Sequence, residues 1–223
     1  MRRRIGIVSP DDSREGYAER AVELCGLTPV VLDPGARTLD DVDAVLVLGG
    51  NVDSRVVTEM VARAGRGLPV LGIGDGFRLL CDTGVLPGRL ETNESGRYAC
   101  VDQRVLVHTN DTVWTAAMER QSEVTLVVNT GAGRFVVDAD TAQQLADDDR
   151  VVARYVDGNP TGSTDDIAGI TNAAGNVVGL LPDLALCVDE LTGPSTDGRA
   201  FIGSVGRFLA LRQGGPVAAT VEG

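Results

Sequence analysis

Short strands that are apolar on both faces, alternating with helical periodicity, constrain this chain more than any other feature of its sequence. The run Arg4-Ile5-Gly6-Ile7-Val8-Ser9 reads as a strand. Asp12 then reads as the cap of a helix whose apolar positions Ala18, Ala21, Val22 and Cys25 lead to a stop at Gly26. Thr28 to Leu32 repeats the strand signal, and Ala44 to Leu48 gives another that ends in Gly49-Gly50. Val56 to Ala64 reads as helix, and Pro69-Val-Leu-Gly-Ile73 as a further buried strand. Strands with no polar face need cover on both sides, so the expected frame is a parallel α/β sheet clad by helices.

The second half changes period. Arg104 to His108, Val124 to Val128, Arg134 to Val137, Val151 to Tyr155, Ile167 to Thr171 and Val177 to Leu181 all read as short strands, many of them antiparallel. Asp157-Gly158-Asn159-Pro160 and Ala174-Gly175-Asn176 supply turn residues that accept left-handed or fixed dihedrals. A last helix, capped by Thr196 or Asp197, carries Phe201, Ile202, Val205, Phe208, Leu209 and Leu211. With 223 residues and no abrupt shift of composition, a single domain over 1–213 is expected, followed by a disordered tail over 214–223.

Composition removes several function classes. A net charge of -12 repels phosphate backbones and anionic lipid, and Arg2, Arg3 and Arg4 read as a solvated lead-in to the first strand. Neither a nucleic acid nor a membrane partner is expected. The chain has no lysine, which rules out Schiff-base or lysine-nucleophile chemistry. Cys25, Cys81, Cys100 and Cys187 show no paired spacing, no metal or cofactor motif is present, and no signal peptide or long apolar span is seen. A reducing cytoplasm is the simplest setting.

The segment Val70-Leu-Gly-Ile-Gly74-Asp-Gly76-Phe-Arg-Leu-Leu80 has the form of a nucleophile elbow: strand, sharp glycine-flanked turn, helix. Such a tip projects a Ser or Cys into a cleft beside backbone N–H groups that stabilise an oxyanion. Here the tip is Gly74, so the segment by itself also reads as an ordinary strand-to-helix turn.

Further runs carry a resemblance. They are Gly84-Val-Leu-Pro-Gly88, Asn93-Glu-Ser95 with Cys100, Asn110-Asp-Thr112, Gly131-Ala-Gly-Arg-Phe135 and Arg154-Tyr-Val-Asp157. Asn159-Pro-Thr-Gly-Ser163, Ile167-Ala-Gly-Ile170, Gly175-Asn176 and Ser195-Thr-Asp-Gly198 come next, in order. Together the chain resembles the glutaminase subunit of phosphoribosylformylglycinamidine synthase, of the class I glutamine amidotransferase family. The resemblance implies a flavodoxin-like doubly wound sheet with an antiparallel extension. It also implies a larger ATP-dependent synthetase as partner, to which ammonia from glutamine would pass.

The departures from that family fall at the chemistry. Where the family has a nucleophilic Cys this sequence has Gly74, and where it has Pro-His-Pro-Glu this sequence has Pro182-Asp183-Leu184-Ala185. Nucleophile, base and orienting acid are thus replaced by Gly74, Asp183 and Ala185. Gly50 and Asp75 stand where the resemblance puts a vestigial oxyanion hole, and Asn51, Thr130 and Arg134 become pocket candidates. The family's Phe-Ser-Tyr-Gly-Asp loop is missing after Gly50, and its Ala-His-Gly-Glu-Gly-Arg run becomes Asn129-Thr130-Gly131-Ala132-Gly133-Arg134. Cys81 reads as a buried packing residue and His108 as a strand-end residue, neither placed to rescue the reaction.

The replaced positions allow two readings of Asp183: a carboxylate that joins Asp75 to hold a cation or amine, or the cap of the helix that follows it. At the level of function, a non-catalytic subunit of a purine-type synthetase is expected first. Its interface candidates are the polar loop residues Asn93, Ser95, Asn159, Ser163, Ser195 and Asp197. A repurposed enzyme using Asp183, Asp75 or Arg134, and a residual glutaminase, are the alternatives.

Overall fold

The computed structural model describes residues 3–9, 12–32, 36, 38, 39, 41–49 and 52–212. In chain order the elements are β1 (Arg4–Val8), α1 (Asp12–Leu24), β2 (Thr28–Val31), β3 (Ala44–Val47), α2 (Ser54–Ala64), β4 (Val70–Ile73) and α3 (Asp75–Asp82). Then come β5 (Arg89–Glu91), β6 (Ala99–Val107), β7 (Glu123–Thr130), β8 (Arg134–Val136) and α4 (Ala139–Asp147). The series closes with β9 (Val151–Tyr155), β10 (Ile167–Thr171), β11 (Val177–Leu180) and α5 (Gly198–Arg212).

A nine-stranded sheet in the order β2-β1-β3-β4-β11-β10-β9-β6-β7 organises the chain, beside a two-stranded sheet of β5 and β8. The five strands from β2 to β11 run parallel to one another. Each of the next four is antiparallel to the strand before it. This is the expected division: a parallel α/β part, then an antiparallel extension. Every residue of β3, β4, β10 and β11 is buried, as both-face cover requires. By contrast β7 alternates buried and half-buried positions, the mark of a strand with one face toward water.

Several boundaries differ from the sequence reading for identifiable reasons. β6 starts at Ala99, not Arg104, because its first half is held by pairing with β7 although Cys100, Val101 and Asp102 are exposed. The helix α4 escapes the apolar pattern because only Ala142 and Leu145 are buried; Asp138 caps it by accepting from the Thr141 N–H. Asp197 stands immediately before α5, and its Oδ2 accepts the Thr125 N–H at 2.7 Å, which ties the start of the helix to β7. Arg4 belongs to β1 itself and donates its N–H to Asp43, so it is not a solvated lead-in; Arg2 and the tail beyond Arg212 lie outside the described residues.

The close seating of α3 on the sheet depends on two glycines. A Cβ on Gly76 would overlap the carbonyl oxygen of Val47, and one on Gly179 would overlap the Phe77 ring. Only bare backbone at these two points lets the first turn of α3 lie against β3 and Phe77 against β11. Gly76→Ala therefore forces α3 off the sheet. It should lower unfolding free energy by roughly 2 kcal/mol or more, read as a drop in urea midpoint at unchanged slope.

Candidate active-site cleft at the elbow

The turn from β4 into α3 puts Gly74 at φ 58° and ψ -111°, a left-handed conformation that glycine enters without steric cost. Its N–H donates to Leu180 O of the neighbouring strand at 3.0 Å. A Cβ built on Gly74 would point at the Arg14 guanidinium, with Nη1 at 3.8 Å and Nη2 at 3.9 Å, the two heavy atoms that approach it within 4 Å among the described residues outside its own chain neighbours. The space a nucleophile's side chain would enter is thus faced by a cation from the first turn of α1.

Arg14 is held there by Asp183. Its Nη2 lies 2.5 Å from Asp183 Oδ2, with the Asp183 side chain only 4% exposed and that of Arg14 27% exposed. The other carboxylate oxygen accepts the Ala185 N–H at 3.1 Å, capping the single tight turn Leu184–Leu186. The Asp183 N–H donates to Val127 O at 2.7 Å, so β11's exit is also tied to β7. Ala185, where the resemblance implies an acid, is a buried methyl.

The reading of Asp183 as a cap therefore holds, and its partnership with Asp75 does not. The Asp75 side chain is 60% exposed and pairs with Arg78 of its own helix at 3.3 Å. Among the described residues no cluster of three or more His, Cys, Asp or Glu side chains could hold a metal ion. Arg134 donates to Gly162 O at 3.2 Å and lies 3.9 Å from Glu91, away from Asp183. The Thr130 hydroxyl accepts the Ala132 N–H at 3.1 Å within its own loop. Gly50 and Asn51 lie outside the described residues.

A cavity of about 340 Å³ opens beside the pair, lined by Arg14 and Tyr17 of α1, Leu48, Asn129 of β7, and Asp183, Ala185 and Leu186. Arg14 and Tyr17 carry no mark in the sequence. An arginine in a helix's first turn reads as solvated, and its partner is 169 positions away. Arg78 is equally silent there: it donates to Leu90 O at 3.1 Å and Ala132 O at 2.7 Å, tying α3 to β5 and the β7–β8 loop. A larger recess of about 450 Å³ lies at the other end of the sheet, among Pro69, Arg63, Arg66 and Arg212. Those arginines sit at or just beyond the C-terminal ends of α2 and α5, where their charge complements the negative ends of the helix dipoles.

The two residues weighed as rescuers stand apart. Cys81 is buried with its Sγ 3.6 Å from Pro87 O, and burial pushes its thiol up to about 12, with Asp82 adding to the effect. His108 lies just past β6, beside Gln121 Nε2 at 3.0 Å. Between β6 and β4 lie β9, β10 and β11, which at ordinary strand spacing is roughly 19 Å.

Five of the six interface candidates turn inward. Asn93 is 2% exposed, donates to Arg97 O and Thr130 O, and accepts the Gly133 N–H. Asn159 Oδ1 accepts from Gly162 N and Ser163 N, and Ser163 Oγ accepts the Phe135 N–H. Ser195 Oγ donates to Thr125 O, next to the bond between Asp197 and the Thr125 N–H. Only Ser95 is exposed. The premise that these side chains are unneeded for folding is corrected: they satisfy loop backbone.

Residues 31–205 match the CobB/CobQ-like glutamine amidotransferase domain. The chain belongs to this glutamine amidotransferase family. It is 38% identical to the phosphoribosylformylglycinamidine synthase subunit PurQ of Corynebacterium glutamicum over 224 aligned positions, covering 94% of this chain and 100% of that protein. The PurQ subunit of Frankia casuarinae is 40% identical over 93% of this chain and 95% of its own length. Among solved structures, PurLQS from Thermotoga maritima superposes with a TM-score of 0.82 at 30% identity, over 94% of this chain and 100% of that one. The family membership and the α/β fold expected from sequence are thereby established. Among the described residues no helix is long and apolar enough to cross a membrane.

Two measurements test this geometry. Arg14→Ala leaves a buried carboxylate without its cation and should cost about 3 kcal/mol of stability, whereas Asp183→Ala frees an arginine that reaches water and should cost less. The double variant should be more stable than Arg14→Ala alone; urea denaturation of the three decides it. The desolvated thiols, buried Cys81 and Cys187 and half-buried Cys25, give the second. Desolvation raises Cys25 to about 11, Cys81 to about 12 and Cys187 to about 11, each from an ordinary 9.0. The folded chain keeps protons the unfolded chain loses, so their stabilising contribution is complete below pH 9 and falls away from there toward pH 12. The urea midpoint should drop between pH 8.5 and 10.5, and iodoacetamide at pH 8 should label exposed Cys100 alone.

Proposed function

We propose that this chain is a glutamine-amidotransferase-type subunit that has lost glutamine hydrolysis and serves a larger ATP-dependent synthetase in purine or purine-derived metabolism. One observation carries the reading: the elbow tip is a glycine, and the space before it is faced by a guanidinium locked to Asp183. Amide hydrolysis of the family's kind needs a thiolate to attack, an imidazole to take its proton, and an acid to orient the imidazole. Gly74 offers no atom for the first role. Asp183 is engaged as the anion of an ion pair and as a cap, and Ala185 carries no acid. Losing nucleophile or base alone typically lowers turnover by about a millionfold.

The frame around the vacated tip supports a retained task. β3, β4, β10 and β11 are buried throughout, and the elbow keeps the glycine contacts that seat α3. The PurQ relatives are subunits of phosphoribosylformylglycinamidine synthase, and the Thermotoga maritima relative is part of PurLQS. A partner of the PurL kind is accordingly the one we propose. It would use free ammonia or a separate source of it, with this subunit contributing stability or a passage past Gly74. The repurposed-enzyme reading gains nothing from the geometry, since Asp183, Asp75 and Arg134 are each paired elsewhere.

Purified protein, alone or with the synthetase, should release no glutamate from glutamine above background. Gly74→Cys should restore a thiol at the tip without restoring turnover. Co-expression with the synthetase should give a stoichiometric complex on gel filtration, whose ammonium-dependent activity falls when this chain is omitted. Glutaminase activity that disappears on changing Cys81 or His108 would overturn the reading.

A further inference from the structure

The edge of a sheet carries backbone donors and acceptors that another chain can pair with, and native proteins blunt such edges. Both outer edges of the nine-stranded sheet are blunted. On β2 the Thr28 N–H donates to Arg3 O and the Leu32 N–H to Ile7 O, so even positions face β1, and the outward position 29 is a proline with no N–H. On β7 the Thr125 N–H donates to Asp197, Ser195 Oγ donates to Thr125 O, and Val127 O accepts the Asp183 N–H. A further edge lies inside the sheet, where one strand outruns its neighbour. β6 pairs with β7 over residues 99–106 but with β9 over 105–107 alone, and past these the Val156 N–H closes on Arg104 O. The Val107 N–H donates to Ser122 O, which fixes odd positions of β6 as those bonded toward β7. Cys100 and Asp102 therefore turn their N–H and C=O groups to the side that β9 leaves empty. Among the described residues no hydrogen bond reaches these four groups. Cys100, Val101 and Asp102 are all exposed, although successive strand side chains point to opposite faces, so both faces of the ribbon are open at this point.

We propose that residues 100–102 of β6 accept an extended, basic segment of the larger synthetase as an added strand. Main-chain pairing supplies the attraction, and the side chains beside the edge supply the choice of partner. Tyr98, 65% exposed, and Val101, 43% exposed, suit a β-branched or aromatic residue of the incoming strand. Arg104 is matched by Glu123 and Asp157, whereas Asp102 enters no salt bridge among the described residues, so the charge left over at this edge is negative. A Lys or Arg of the added strand answers it. A second copy of this chain does not, since each copy brings a net charge of -12 and a further Asp102. The open window is three residues long, which fits a loop or tail of a partner that also docks elsewhere better than it fits a whole interface. The inference rests on the synthetase partnership proposed for the chain, and adds to it the place and the mode of contact.

Hydrogen exchange of the full chain, free and in complex with the PurL-type synthetase of the same organism, reads the edge directly. The amides of Cys100 and Asp102 should exchange freely in the free chain and slow by about tenfold or more in the complex. Asp102→Pro removes an N–H that β7 does not use and places a ring in the path of the added strand, so it should leave the melting temperature of the free chain within a few degrees and weaken the complex by about tenfold or more. Asp102→Arg keeps the N–H and reverses the charge, and should weaken the complex several-fold, less so at high salt. A complex that forms with exchange at Cys100 and Asp102 unchanged, or that binds both variants as tightly as the wild-type chain, would overturn this inference and leave the partnership standing. Absence of any complex would overturn both. A free chain that runs as a dimer, and as a monomer once Asp102→Pro is made, would assign the edge to a second copy and overturn it as well.

Discussion

A carboxylate withdrawn from water has to be matched by a cation and by hydrogen bonds, and Asp183 imposes that requirement on the middle of this protein. Its demand draws Arg14 of α1 toward the elbow, fixes the turn at Ala185, and holds the exit of β11 against β7. Three elements distant in sequence meet at one side chain. A doubly wound sheet would form without it, since burial of Val, Leu and Ile drives that. The cleft at its carboxyl end would have a different floor.

The parallel half of the fold was legible because its strands are buried on both faces, which leaves an uninterrupted apolar run that polar substitutions do not blur. The elbow was legible for a related reason: Gly76 is required by the approach of α3 to Val47, so the pattern is imposed by backbone contact whatever the chemistry at the tip. β6 and α4 were harder, since one is half exposed and the other buries two side chains. In both, pairing and capping carry what periodicity does not.

The site was legible as a set of positions and not as a set of contacts. Gly74, Asp183 and Ala185 are brought to one end of the sheet, but the group that now faces the tip, Arg14, gives no signal in the sequence. Asn93, Asn159 and Ser195 misled in the opposite direction. Polar residues in loops suggest recognition, yet irregular backbone has donors and acceptors of its own to satisfy, and these side chains are consumed in doing so. Local pattern identifies where a loop is; it does not say whether a polar group faces in or out.

The dihedral angles at Gly74 carry a consequence for how such a site changes over time. A side chain at φ 58° and ψ -111° would sit in a sparsely populated region, a conformation that holds about 1–3 kcal/mol of strain when anything other than glycine adopts it. Glycine relaxes that tension without moving the backbone. Once catalysis is no longer selected, the tip of an elbow is therefore a position where losing the side chain makes the fold more comfortable, and the way back is uphill in stability before any rate is recovered. Inertness at such a tip behaves as a ratchet.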